Sequence, residues 1–137
     1  MTQITASLFK NRFVSLILGG RDLPKKRMDR HILFISSTLG LEANRQYTES
    51  ELNDELRKWT TLFGSNFNLD YVSLRRSLVD EQYITRDTAG GSYELATTNL
   101  PYTFDRSIET LDLEELINEA RTARELKKRQ YLSQSGD

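Results

Sequence analysis

Residues Leu69 to Leu95, LDYVSLRRSLVDEQYITRDTAGGSYEL, read as a short capped helix that runs directly into a two-stranded hairpin. Asp70 can accept a hydrogen bond from the free N–H groups of a first turn, so a helix is expected from Asp70 to Glu81. Strands are expected over Tyr83–Arg86 and Ser92–Ala96. The tip between them is Asp87-Thr88-Ala89-Gly90-Gly91, where the two glycines can adopt positive φ without a Cβ clash. Helix followed by hairpin is the second half of a winged helix, a fold most often used to bind duplex DNA.

Working outward, Thr48 with Glu51 three residues later forms a capping box, in which each side chain bonds the other's backbone N–H. It opens a helix from Glu49 to Phe63 with Leu52, Leu56, Trp59 and Phe63 on one stripe. Gly64–Leu69 reads as a polar turn, and Arg45–Thr48 as a short strand able to pair with the hairpin. Before that, Leu23-Pro24 is expected to open a helix, because proline suits a first helical position whose N–H would have no partner. Met28, Ile32, Ile35 and Leu39 form its stripe and Gly40 ends it. Leu33 and Phe34 fall off the stripe, which predicts burial on more than one side.

The order helix, strand, helix, turn, helix, hairpin over Pro24–Leu95 is a complete winged-helix count. The expected fold class is therefore α+β and mostly helical: a winged helix-turn-helix with an extra N-terminal helix and a C-terminal helix. The N-terminal helix, about Thr5 to Leu18, carries Phe9, Phe13, Leu16 and Ile17 on one face and stops at Gly19-Gly20. Thr97–Thr110 has no clear period and reads as a linker. Asp112 with Glu115 is a second capping box, opening a last helix to about Leu132. Its first half carries the stripe Leu113, Leu116, Ile117, Ala120 and should pack. The same face then continues with Arg124 and Lys127, which should stay wet, and Ser133–Asp137 should fray. The organisation expected is a packing helix at 1–22, the winged helix at 23–96, a linker at 97–111 and the terminal helix and tail at 112–137.

Composition bounds the function classes. A chain of 137 residues with 37% hydrophobic and 28% charged residues describes an ordinary globular protein. No apolar run approaches the roughly 20 residues needed to cross a bilayer, and Phe13–Leu18 is too short for a secretion signal. Without cysteine there is no disulfide framework and no thiolate chemistry, which is compatible with a reducing cytoplasm, the expected location. A net charge of −1 is low for a DNA-binding domain, but its distribution is uneven. Residues 1–45 carry eight Lys/Arg against three Asp/Glu, while residues 46–84 and 85–137 are each acidic by three. The basic excess is concentrated in Arg21, Lys25, Lys26, Arg27 and Arg30, and such a local patch can attract phosphate.

On a helical wheel, Leu74, Leu78, Tyr71, Val79 and Val72 form an apolar arc with Arg75 in its middle. Arg75 is therefore expected as a partly buried structural arginine, paired to a carboxylate, with Asp54 and Glu55 as candidate partners. The outward face is Ser73, Arg76, Ser77 and Asp80. Arg76 could bond guanine or be a solvated surface charge, and the two hydroxyls are adaptable readers. Lys25, Lys26 and Arg30 either neutralise the DNA backbone or form a solvated face beside an apolar stripe. Arg86 is the hairpin's basic contribution, offset by Asp87. His31, the only histidine, has no nucleophile or metal partner at useful spacing and reads as packed or surface. No ligand set for a metal and no phosphate-cradling glycine loop is present, so no cofactor and no catalytic residue is expected.

From about Phe13 to Leu95 the chain resembles a bacterial family catalogued as the domain of unknown function 2087. The matching residues are Gly19-Gly20, Leu23 to Arg27, Tyr47 to Asn53, Asp70 to Asp80, Ile84 to Asp87 and Gly91-Ser92-Tyr93. The present hairpin is a residue or two longer at Thr88-Ala89-Gly90. The resemblance implies a small winged-helix-like module sometimes found beside DNA-binding repressor domains, and implies no activity. Two readings follow. One is a non-enzymatic transcription regulator binding duplex DNA, dimerised through its terminal helices. The other is a winged-helix interaction module gripping a protein partner through the C-terminal helix or the Phe9/Phe13 stripe.

Overall fold

The structure, a computed structural model, describes residues 3–89 and 91–135. The chain is α+β and mostly helical. Helix α1 spans Ala6–Gly19, α2 Arg27–Thr38, α3 Glu49–Trp59, α4 Tyr71–Asp80 and α5 Leu113–Ser135. Five short strands, β1 Gln3–Ile4, β2 Gln46–Tyr47, β3 Ile84–Arg86, β4 Tyr93–Leu95 and β5 Thr103–Phe104, form two small sheets. One is three-stranded and antiparallel in the order β2-β4-β3, with Tyr47 opposite Tyr93 and Ile84 opposite Leu95. The other pairs β1 with β5 in parallel, Ile4 opposite Phe104.

Local chemistry sets most boundaries. Thr5 caps α1 by accepting from the Leu8 N–H. Both bonds of the Thr48/Glu51 capping box are formed, at 3.1 and 3.0 Å. Asp70 accepts from the Ser73 N–H at 2.7 Å, and Asp112 from the Glu115 N–H at 3.0 Å. Helix α4 closes where Gln82 turns left-handed (φ 67°) and the Tyr83 N–H returns to the Leu78 carbonyl, which aims the chain into β3. At the hairpin tip the Asp87 N–H donates to the Ser92 carbonyl and the Gly91 N–H to the Asp87 carbonyl, with Gly91 at φ 67°. Gly90, expected in that tip, lies outside the described residues.

The core is a single cluster in which Phe9, Phe13, Ile32, Leu33, Ile35, Leu52, Leu56, Leu74 and Leu78 are fully buried. Phe13 packs edge-on against Phe63 at 5.3 Å. Helix α2 is buried on several sides: every residue from His31 to Thr38 is inaccessible. Its three hydroxyls at Ser36, Ser37 and Thr38 donate back to the carbonyls of Leu33, Phe34 and Ile35, so none is left unpaired in the core.

Four expectations need correction. Helix α2 starts at Arg27, not at Pro24, because the Arg30 guanidinium donates to the carbonyls of Pro24 (3.3 Å) and Lys25 (2.7 Å) and holds those residues in a turn. The stretch after α3 is not a polar turn: Thr60–Gly64 forms a π-helical turn and Ser65–Phe67 a 3-10 turn, with Phe67 and Leu69 buried. The expected linker carries β5 and a 3-10 turn at Arg106–Thr110, whose Ile108 is fully buried. Phe9 and Phe13 lie in the protein's own core and offer no stripe to a partner. Helix α5 packs its first half on α1 through Leu113, Leu116, Ile117 and Ala120. From Arg121 to Ser133 every residue is exposed, and the helix continues to Ser135 where fraying was expected.

Candidate nucleic-acid interface

Helix α4 buries Leu74 and Leu78 and turns Ser73, Arg76 and Asp80 to solvent, with Ser77 half-buried between them. The Arg76 side chain makes no hydrogen bond or ion pair with any described residue. Its charge is felt by the Asp70 carboxyl, which lies below the ordinary carboxylate range chiefly because it accepts the Ser73 backbone N–H. One end of the face therefore carries an ionised cap, and Asp80 stands exposed at the other. The polar surface is mixed in sign, with one unpaired cation at its centre.

Arg75 points the other way. Its side chain is 15% exposed, donates from Nη1 to Asn53 Oδ1 at 2.6 Å, and pairs from Nη2 with Glu49 Oε1 at 3.2 Å. Its guanidinium also lies 6.0 Å from the Tyr93 ring, whose hydroxyl donates to the same Glu49 oxygen at 3.4 Å. This one side chain joins α3, α4 and β4. The partners named from the sequence are otherwise engaged: Asp54 pairs with Arg57 and Glu55 with Lys58. Arg86, at the end of β3, is exposed with its guanidinium 5.7 Å from the opposite side of the same hairpin, over Tyr93.

Lys25 and Lys26 are exposed in the turn before α2, and their ammonium groups make no hydrogen bond or ion pair with any described residue. Arg30 is half-buried and spends one nitrogen on that turn, so its first role is to hold the two lysines in place. At the C-terminal end of α4 His31 of α2 meets Glu81, and the charges of Arg27 and Arg30 bear on the His31 ring. Ten residues of helix span about 15 Å, so that end of α4 lies this far from the Asp70 cap. Among the described residues no hydrogen bond or ion pair joins Lys25 or Lys26 to Ser73 or Arg76.

Sequence reasoning missed a buried polar cluster under this end. His31 is fully buried, with its Nδ1 hydrogen-bonded to the Tyr83 hydroxyl and its ring 4.8 Å from that of Tyr102. Nε2 has no hydrogen-bond partner, and Oε2 of Glu81 stands 3.4 Å away. Burial lowers the imidazole pKa and raises that of the Tyr83 phenol, which favours a neutral ring beside a protonated phenol. The two residues are far apart in sequence, and only the spacing of His31 within an apolar run hinted that it was packed.

Among the described residues no group of histidine, cysteine or acidic side chains could hold a metal ion, and no helix is long and apolar enough to cross a membrane. No curated protein and no solved structure matches the chain. A family model does match, over residues 21–95, from the basic turn before α2 to the end of β4. On that match, more than half its length, the chain belongs to the bacterial family described as "Uncharacterized protein conserved in bacteria (DUF2087)".

Proposed function

We propose that residues 24–95 form a winged helix that binds duplex DNA through the exposed face of α4, as a non-enzymatic regulator of transcription. What supports the winged-helix reading is the strand order β2-β4-β3, with α3 and α4 inserted between the first and second strands in sequence. What supports the DNA reading is Arg76: an exposed arginine without an internal partner, flanked by Ser73 and Ser77 on a helix held from behind by Arg75. Arg76 reads a base edge, the two serines adapt to neighbouring groups, and Lys25 and Lys26 neutralise phosphates. Arg86 tracks the backbone from the hairpin. One module with so few contacts binds weakly, so a homodimer is part of the proposal. With the Phe9/Phe13 stripe of α1 buried in the core, the dimer contact falls to α5.

Fluorescence anisotropy of a labelled random-sequence duplex at several salt concentrations tests this. Each neutralised phosphate adds about −0.9 to the slope of log K against log salt. Lys26→Glu should flatten that slope, and Arg76→Glu should abolish detectable binding. No binding at low salt would overturn the reading.

A second reading rests on α5. Its residues from Arg121 to Ser133 are all exposed, with Leu126 at 52% and Tyr131 at 71%. On that reading the domain is an interaction module that offers α5 to a protein partner and binds no DNA. Deleting residues 121–137 would then remove the partner while leaving the domain folded.

A further inference from the structure

A cavity of about 590 Å³ lies away from the α4 face, between the end of α2, strand β4 and the segment that carries β5. Leu39, Leu95, Leu100 and Phe104 line it, with the buried Tyr83 at its base. That volume falls within the range of small-molecule sites, and its walls are more apolar than polar. At the mouth stand Arg106 and Glu109. Both lie on the 3-10 turn Arg106–Thr110, where residues three apart stack on the same side.

Two opposite charges so placed would ordinarily pair. These do not: neither the Arg106 nor the Glu109 side chain makes a hydrogen bond or ion pair with any described residue. The segment is nonetheless fixed, since Ile108 between them is fully buried and Asp105 accepts from both the N–H and the hydroxyl of Ser107. The rim thus presents a separate cation and a separate anion above an apolar chamber.

We infer that this cavity binds an apolar α-amino acid. The carboxylate meets Arg106, the ammonium meets Glu109, and the hydrocarbon side chain enters between Leu39, Leu95, Leu100 and Phe104. Charge-assisted bonds at both ends give specificity, and burial of the side chain gives affinity. The site lies outside the DNA-contact proposal and stands whether or not the protein binds DNA.

Calorimetric titration of the full chain with three matched probes tests it. L-phenylalanine carries both charges, 3-phenylpropionate lacks the ammonium and phenethylamine lacks the carboxylate. L-phenylalanine should bind at least tenfold more tightly than either, and should shift the methyl resonances of Leu95 and Leu100. Arg106→Gln and Glu109→Gln are surface changes that leave the unfolding midpoint in place, and each should weaken L-phenylalanine at least tenfold. Arg106→Gln should leave phenethylamine unaffected. No binding of L-phenylalanine at millimolar concentration would overturn the inference. So would equal binding of 3-phenylpropionate, or undiminished binding by Arg106→Gln.

Discussion

Lowering the pH from 7 to 5 should destabilise this protein through His31. Burial, the largest influence, lowers the folded-state pKa of His31 from 6.5; Glu81 pulls it up, and Arg27 and Arg30 push it down. The Tyr83 hydroxyl and the Tyr102 ring also face it. A depressed value means that the unfolded chain takes up the proton first. The stabilisation is therefore complete above about 6.5 and is lost as the pH falls through the lower folded-state value. One proton can change stability by at most about 1.4 kcal/mol per pH unit, so the ceiling between pH 6.5 and 5.0 is about 2 kcal/mol. For a chain of this size each kcal/mol moves the melting temperature by roughly 3–5 °C. The window belongs to His31, because no other histidine exists and Glu51, Asp70 and Asp105 are held below the ordinary carboxylate range. Urea unfolding followed by Trp59 fluorescence, at half-unit steps of pH, measures the loss. Glu81→Gln removes the upward pull, so the loss should still begin near 6.5 but be larger at pH 5. A midpoint constant from pH 6.5 to 5.0, or a His31 ring proton titrating at or above 6.5 by NMR, would refute the reasoning.

Three further outcomes follow from the same packing. Arg75→Ala removes the partner of Asn53 and Glu49; because Glu49 is half-exposed and can rehydrate, the cost should be about 1–2 kcal/mol in urea unfolding. It should also speed amide exchange at Tyr93 and Glu94, which Arg75 ties to the helices. Thr48→Ala deletes half of the capping box and should cost about 1 kcal/mol by the same measurement. Gly20→Ala should cost about 1–3 kcal/mol in calorimetric stability, since its methyl would sit 2.4 Å from the Leu16 carbonyl oxygen and 2.9 Å from the Phe67 ring.

Features written in one local stretch were legible in the sequence, and features made by distant pairing were not. Thr48, Asp70 and Asp112 announce their helices because a cap acts on the next three residues. The wheel around Leu74 and Leu78 placed Arg75 inward and Arg76 outward, because helical geometry decides that without knowledge of the rest of the fold. The choice of Glu49 and Asn53 over Asp54 and Glu55 depends on how α3 crosses α4, which no single helix encodes. Pro24 misled because the Arg30 side chain captures its carbonyl and that of Lys25 and delays the helix. Strand β5 is two residues long and pairs with β1 from the other end of the chain, so it leaves no periodic trace. Phe67 and Leu69 are single apolar residues among Gly, Ser and Asn, and only the shape of the core reveals that they are buried. The His31–Tyr83 pair and the Arg106/Glu109 rim are likewise products of assembly.

The claim that the outer face of α4 is a DNA-contact surface is tested most directly by mapping it. A ¹⁵N-labelled sample titrated with a short duplex at low salt reports every perturbed amide. The account predicts shifts clustered at Ser73, Arg76 and Ser77, with weaker ones at Lys25, Lys26 and Arg86, all disappearing as salt is raised. Shifts confined to α5, or an unchanged spectrum, would contradict it.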